Sequence, residues 1–451
     1  MTVKFTSIAG RSPAVGFREA LFHGLAPDGS LYIPEDIPRL SPKELDFAVE
    51  GGTDSDFFED HGFTSLHSVA ATVASSFIDD ISTEDLRRMV EDALTFPIPL
   101  VQLEPGMFVL ELFHGPTLAF KDVGARFMAE ALSYFLTEEE RKLTILVATS
   151  GDTGSAVAHG FYNLANVTVY VLYPSGKISR LQEQQMTTLG GNIQAVEVDG
   201  TFDDCQHLVK QSLVDPEVLG SRAVTTANSM NLGRLIPQVA YFVWGVVQLR
   251  RQFGERSDPL VVVPSGNFGN LTAAVYAKWM GTPIGGFVAA TNANDAVPHY
   301  LQTGDFVPRP SVRTLSNAMD VGNPSNLARL QALYGNDIQR LRTDITGSRV
   351  TDDETLEEIR RTHQRTGYIL DPHTAVGVAV ARRAGNEKTD SPPIIIAATA
   401  HPAKFPEIVE RAIGVKIPLP DSLEYALSKK KQSILLKAEY EKFKELLVST
   451  R

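Results

Sequence analysis

The sequence predicts an α/β protein in which two parallel-sheet layers meet at a cleft, behind a mainly helical N-terminal region. Three observations predict it. β-rich runs at 143–149, 167–173 and 193–198 alternate with helical patterns at 155–164, 181–189 and 203–214, a succession that calls for parallel strands with covered faces. A second strand series lies at 260–263, 287–290 and 393–399. A long helical run, 230–250, separates the two series. Ligands of such sheets lie beyond the C-terminal ends of the strands, so chemistry is expected in the loops found there.

Residues 1–95 read as mainly helical. Phe17, Ala20, Leu21 and Leu25 recur at helical spacing before the turn Pro27-Asp28-Gly29 and a short strand at 31–33. Helical patterns follow at 65–77 and 83–94, the second with Glu84 and Asp85 in its first turn, where acidic groups favour the helix dipole. Nothing in this region has chemical spacing, which assigns it to packing and to shaping the mouth of the cleft. Residues 291–350 are turn-rich and yield no definite element. The stretch 428–447 mixes Lys429, Lys430, Lys431, Lys437, Lys442 and Lys444 with Ile434, Leu435, Phe443 and Leu446. Glu439, Glu441 and Glu445 break up its positive face, so it reads as a docked surface helix and not a membrane-surface one.

At 451 residues the chain is too long for one simple core, and two or three domains are expected. Apolar residues make up 43% and charged residues 21%, as in an ordinary soluble globular protein. The formal net charge of -12 argues against nonspecific attraction to nucleic acid or acidic membrane, so an anionic substrate must be held by local positive groups. The single cysteine, Cys205, excludes an intrachain disulfide, a thiolate zinc cluster and a CxxC pair, and reads as a buried inert thiol. The start MTVKFTSIAG lacks the long apolar region of a secretion signal, and the apolar run 240–249 is half the ~20 residues of a membrane span. A cytoplasmic protein is expected, with neither nucleic acid nor membrane as a partner.

The segment HGPTLAFKD at 114–122 sets Lys121 beside a turn, between apolar residues, at the head of a helical run 123–135. A partly desolvated amine there stays neutral often enough to attack an aldehyde. Most lysines are solvated surface residues, so this reading depends on the loops downstream. Residues 263–270, VPSGNFGN, follow a strand and precede the helical run 271–280. Small residues let successive backbone N–H groups turn toward one point, and the helix start adds its positive end, which suits a phosphate dianion. Tight packing alone would also account for the glycines. The lysine of a P-loop, GxxxxGK[ST], is absent, which disfavours nucleoside triphosphates.

Residues 148–155, ATSGDTGS, form a second strand-to-helix loop. It lacks GxGxxG, and Asp152 would set a negative charge against a pyrophosphate, so a dinucleotide is disfavoured. Hydroxyls and backbone donors at a helix start suit a small carboxylate, such as that of an amino acid; the alternative is a plain N-cap by Ser150, Asp152 or Thr153. The run YPSGKISR at 173–180 brings Lys177 and Arg180 to the end of a strand, either to hold a second anionic group or as a solvated turn. In IIIAATAHPAKF, 394–405, a strand ends on Thr399, whose hydroxyl can hydrogen-bond a heteroaromatic nitrogen without forcing its protonation. His401 and Lys404 are close by in sequence. His373, in LDPHTA at 370–375, and His401 raise a metal, but HExxH and a compact third ligand are missing, so no metal site is expected. The GxSxG elbow of a serine hydrolase is missing as well.

Taken together, these segments resemble the threonine synthase family, in the longer form found in many bacteria and fungi. The resemblance is carried by HGPTLAFKD at 114–122, ATSGDTGSA at 148–156, YPSGKIS with LQEQQM at 173–186, PSGNFGN at 264–270, LDPHTAVG at 370–377 and ATAHPAKF at 398–405. FREALFHGLAPDGSLYIPE at 17–35 extends it to nearly the full length. It implies the α/β fold of fold type II pyridoxal-phosphate enzymes, tryptophan synthase β-like, with two parallel-sheet domains and an additional mainly helical N-terminal domain. The implied division is an N-terminal domain at 1–95, a large cofactor domain at 96–140 and 242–425, a small α/β domain at 141–241 and a C-terminal helix at 426–451.

The same resemblance implies pyridoxal 5'-phosphate bound to Lys121, which also acts as the catalytic proton shuttle. The cofactor phosphate would lie on Gly266, Asn267, Phe268, Gly269 and Asn270, with Thr399 facing the pyridine nitrogen. Ser150, Gly151, Asp152 and Thr153 would border the substrate carboxylate, and Lys177 would approach the substrate phosphate. The implied activity is a carbon–oxygen lyase that turns O-phospho-L-homoserine and water into L-threonine and phosphate, the last step of threonine biosynthesis. A phospho-lyase giving 2-oxobutyrate, ammonia and phosphate is the nearest alternative, and a noncatalytic interaction protein of the same fold is another. The longer class also suggests a monomer without an obligate protein partner. Two departures stand out: Arg180 occupies a position where relatives often carry proline, and the opening FTSIAG lacks the Tyr-x-Ser-Thr-Arg-Gly start of many members.

Overall fold

The strand runs of the middle of the chain assemble into two separate sheets, and the loops that carry chemistry hang from their C-terminal ends. The computed structural model describes residues 3–40, 63–137, 142–254, 257–385 and 391–449; the rest of the expected N-terminal domain, 1–2 and 41–62, lies outside the described residues. That domain contains the helices Phe17–His23, Phe63–Phe77 and Thr83–Ala93. It also contains an antiparallel pair, β1 (Phe5–Ser7) and β2 (Tyr32–Pro34). A hairpin of β3 (Leu100–Glu104) and β4 (Met107–Glu111) leads into the helix Lys121–Thr137.

The next strands are β5 (Leu143–Ala148), β6 (Val167–Pro174), β7 (Ile193–Asp199) and β8 (Ala223–Thr226). After the helix Leu232–Phe253 come β9 (Leu260–Pro264), β10 (Gly286–Thr291), β11 (Ile345–Arg349), β12 (Ile394–Ala398) and β13 (Ile434–Lys437). The smaller sheet has the order β13-β7-β6-β5-β8 and is parallel throughout. The larger has the order β11-β10-β9-β12-β4-β3 and is parallel except for the edge strand β3. β5 and β12 are buried along their whole lengths and apolar apart from Thr144, the signature of strands covered on both faces. The helix Leu232–Phe253 is buried at every position from Leu232 to Leu249, so it runs through the interior.

Two differences from the sequence reading have physical causes. The stretch 428–447 is not one helix: the helix Asp421–Ser428 ends, β13 adds to the edge of the smaller sheet beside β7, and the helix Tyr440–Ser449 follows. Pairing with β7 supplies backbone partners that helical-looking lysine spacing cannot foresee. The turn-rich stretch 291–350 holds the short helices Ala296–Thr303, Leu327–Leu333 and Ile338–Asp344 and the edge strand β11. Helices of seven or eight residues carry too little periodicity to read, and tertiary packing holds them. Among the described residues, no helix is long and apolar enough to cross a membrane.

One buried cation ties the N-terminal domain to the rest. Arg329 is fully buried and donates from Nε to Tyr32 O at 2.9 Å, from Nη2 to Met230 O at 2.5 Å and from Nη1 to Asn326 Oδ1 at 2.6 Å. These bonds join β2, the loop before the long interior helix and the start of the helix Leu327–Leu333. Arg329→Met leaves the three acceptors without this donor and is expected to cost about 3 kcal/mol in urea unfolding, with new protease cleavage near residues 3–35.

Candidate active site

Lys121 is held by the larger sheet. β4 and β12 pair in register from Met107↔Ile394 to Glu111↔Ala398, and the chain leaving β4 keeps following the end of β12. Leu112 N–H donates to Ala398 O (3.0 Å), Phe120 N–H to Thr399 O (2.9 Å) and His401 N–H to Leu118 O (3.0 Å). The loop between turns back at Leu118, which takes a left-handed φ of 60°. Thr117 closes it by donating from Oγ1 and from its backbone N–H to Asp122, at 2.6 and 2.9 Å. Lys121 is thereby set at the first position of its helix and within the same wall as Thr399, the residue after β12.

Two more loops meet these residues. The 264–270 loop leaves β9 and enters the helix Gly269–Trp279, and the 149–151 loop leaves β5 and enters the helix Asp152–Gly160. One cavity is lined by Lys121, Thr399, the whole 264–270 loop and the side of the second loop that carries Ser150, Asp152 and Thr153. Gly151 is not among its lining residues; it has φ 137°, and a Cβ there would lie 2.4 Å from the Gln182 amide carbon. Gly266 is constrained by space alone: a Cβ would meet Ala318 O at 2.9 Å and Met319 Cα at 3.0 Å.

The wall has donors to spare. Phe268 adopts a left-handed φ of 61° immediately before the helix, whose first N–H groups have no intrahelical acceptor. The Tyr241 hydroxyl donates to Asn270 Oδ1 at 2.5 Å, while Asn270 Nδ2 is buried and has no partner. Nε of Arg234 is buried and unpartnered too, although its Nη1 donates to Ala227 O at 2.6 Å. Buried donors are nearly always bonded, so Asn270 Nδ2, on a residue that lines the cavity, marks where an anion fits, whereas Arg234 Nε lies against Gly124, 3.1 Å from where a Cβ of that glycine would stand. A phosphate and an aldehyde on one planar ring, the parts of pyridoxal phosphate, match this donor-rich loop on one side and the Lys121 amine on the other.

Electrostatics favour a reactive amine. Lys121 is 14% exposed, and its Nζ lies 3.9 Å from Asp152 Oδ2. Burial lowers the amine pKa to about 8; Lys404 and Arg234 push it the same way, against Asp152. Asp152 itself lies well below the ordinary carboxylate range. Burial would raise it, but Lys404 first, then Lys121 and His373, outweigh that. Lys404 Nζ sits 2.7 Å from Asp152 Oδ1.

Not every expected residue reaches the cavity. Lys177 stands on an exposed turn, with Nζ donating to Gly200 O at 2.9 Å, and Arg180 is exposed on the first turn of the helix Arg180–Thr187. The cation that does line the cavity beside Lys121 is Arg234, in the first turn of the helix Leu232–Phe253. The signal for it was present in NSMNLGR, a strand end followed by Asn231 as N-cap of a long helix, but nothing there has a phosphate-loop pattern. His373 lines the cavity with both ring nitrogens engaged: Nδ1 lies 2.7 Å from Asp371 Oδ1, and Nε2 accepts from Ala318 N–H at 3.1 Å. His401 accepts from Ala403 N–H at 3.1 Å and caps a short helical turn.

Residues 94–398, which include every cavity-lining residue except Thr399, match the family model "Pyridoxal-phosphate dependent enzyme". Fold and site thus define a fold type II enzyme dependent on pyridoxal phosphate. The flanks are more specific: residues 4–94 match "Threonine synthase N terminus" and residues 374–447 match "Threonine synthase, C-terminal". The chain belongs to the threonine synthase family. It is 44% identical over 411 residues to a threonine synthase of Haemophilus influenzae, covering 91% of each chain. The crystal structure of threonine synthase from Escherichia coli superposes with a TM-score of 0.90 at 40% identity, covering 99% of this chain and 100% of that one. A pyridoxal-phosphate-bound threonine synthase from Brucella melitensis gives 0.87 at 35% identity, over 99% of each chain.

The lowered amine has a direct readout. Since only the neutral amine is nucleophilic, acylation of Lys121 in the cofactor-free chain is expected to rise with pH to a midpoint of about 8. Solvated lysines should keep a midpoint near ~10.4. Peptide mass spectrometry after competitive labelling separates the two.

Proposed function

We propose that this chain converts O-phospho-L-homoserine and water into L-threonine and phosphate, with pyridoxal 5'-phosphate bound through Lys121. The observation that carries the proposal is one cavity, in a chain of this family, that holds a lysine of lowered pKa and the unpartnered Asn270 amide at a helix start. Gly266, Asn267, Phe268, Gly269 and Asn270 would hold the cofactor phosphate, and Thr399 the ring nitrogen. Ser150, Asp152 and Thr153 would border the substrate carboxylate, with Gly151 shaping their turn from behind. Arg234 takes the place first given to Lys177 as the contact for the substrate phosphate, because Arg234 lines the cavity and Lys177 does not.

When bound, pyridoxal phosphate supplies an electron sink that makes protons beside the substrate's amino-bearing carbon removable. The protein supplies the rest. Lys121 Nζ, neutral for an appreciable fraction of the time near neutral pH, accepts protons at Cα and Cβ and returns them at Cγ, which becomes the methyl group, and at Cα, while the proton of the added water goes to the departing phosphate. Arg234 bears the charge that builds on the departing phosphate. The buried walls limit water to the molecule that adds at Cβ. Loss of phosphate and gain of one water balance to threonine. A cytoplasmic, monomeric enzyme acting on a small anionic amino acid completes this reading.

Product analysis tests it. Incubation of the cofactor-loaded chain with O-phospho-L-homoserine should release phosphate and threonine in equal amounts. Phosphate accompanied by 2-oxobutyrate would make the enzyme a phospho-lyase, and no phosphate release would overturn the substrate. Lys121→Ala should lower kcat at least about a thousandfold. Arg234→Met should raise KM for the phosphorylated substrate about thirtyfold or more, through the loss of a buried charge contact.

A further inference from the structure

Lys404 is a buried cation that this reaction scheme leaves without a task. It is 0% exposed and lies on the short turn Pro402–Lys404 beyond β12, only five residues after Thr399. Its Nζ touches two segments of the site: Asp152 Oδ1 at 2.7 Å and Thr117 O at 2.8 Å. Asp152 is 4% exposed and also accepts from Gln182 Nε2 at 2.9 Å on the same oxygen. Its other oxygen is 3.9 Å from Lys121 Nζ, beyond hydrogen-bond distance. The carboxylate is therefore engaged by Lys404 and Gln182, and stands off from the amine that must react.

We propose that Lys404 is a positioning residue that saturates Asp152 inside the fold, so that this carboxylate does not capture the Lys121 amine and hold it as an ammonium ion. The charges around the amine make the consequence specific. Lys121 faces Asp152, Lys404 and Arg234; Asp152 faces Lys404, Lys121 and His373; and Asp122, closed off by Thr117, faces Lys404 and Arg234. Removing Lys404 leaves Asp152 with Lys121 as its nearest cation and deletes a neighbour that repels protons from the amine. Both changes favour the protonated, unreactive form of Lys121. Exposed charges would be screened by solvent, but here both members of the pair are buried, so the effect is not diluted.

The inference rests on Lys121 being the reactive amine. Borohydride reduction of the chain with pyridoxal phosphate, followed by peptide mapping, checks that assignment separately; reduction at another lysine would sink it without touching the charge argument. The inference itself is read from the pH midpoint of Lys121 acylation in the full-length chain, with neither cofactor nor substrate present. Lys404→Met should move the midpoint upward by about one unit, a roughly tenfold slower labelling at pH 7. Lys404→Arg, which keeps the charge, should stay near wild type. Folded Lys404→Met with the wild-type midpoint would overturn the proposal. Should that variant not fold, Lys404→Gln, which removes the charge but keeps a donor for Thr117 O, is read in the same way. An upward shift of the midpoint supports the proposal, and a wild-type midpoint in this folded variant would be equally fatal.

Discussion

The backbone bonds between residues 112–120 and the end of β12 are the constraint on which the site depends. Phe120 N–H to Thr399 O and His401 N–H to Leu118 O fix the chain on both sides of the turn at Leu118. They bring Lys121 and Thr399 together although the two are far apart in sequence, and they make the left-handed Leu118 tolerable by over-determining it. Because β12 lies between β4 and β9, the same strand end also borders the 264–270 loop. One interior strand of the larger sheet thus sets the distance between an amine, a hydroxyl and an anion-ready turn.

The smaller sheet contributes its own loop and, with it, Asp152, the only carboxylate among the described residues that line the cavity. A buried carboxylate is tolerable only if it is compensated, and here the compensation comes from across the cleft, from a lysine on the turn after β12. Gln182 adds a second link: its Nε2 donates to Asp152, and its Oε1 accepts from Asn317 Nδ2 at 3.2 Å. Asn317 begins the turn whose next two residues, Ala318 and Met319, line the cavity. Charge balance and interdomain contact are therefore carried by the same few side chains, so the electrostatics of the amine depend on how the two sheets are apposed.

Much of this was legible from local pattern. Apolar runs such as LTILVA and IIIAA announce strands buried on both faces, and glycine-rich turns after them announce ligand loops. Thr399, the 264–270 loop and most of the 150–153 loop were readable because each sits where a strand ends, and Lys121 because it heads a helical run after a turn. The C-terminal strand β13 was not, since its four residues acquire a partner only when β7 is already in place. Arg234 and Lys404 were passed over as cationic members of the site for a related reason. Each lies in a segment without distinctive spacing and matters through what faces it.

Lys177 shows the converse. By sequence it sits at a strand end among small residues, as good a candidate as any, yet its turn points the amine to Gly200 O at the surface. Proximity to a strand end is a property of the chain; direction is a property of the fold. The order and identity of amino acids decided the class of fold, the amine and the glycine-rich turns at the strand ends, because burial pattern and turn chemistry are local. Tertiary structure alone decided which cation lines the cavity beside Lys121, how Asp152 is neutralised and where the last strand lies, because charge pairing and strand pairing act across space between residues far apart in the chain.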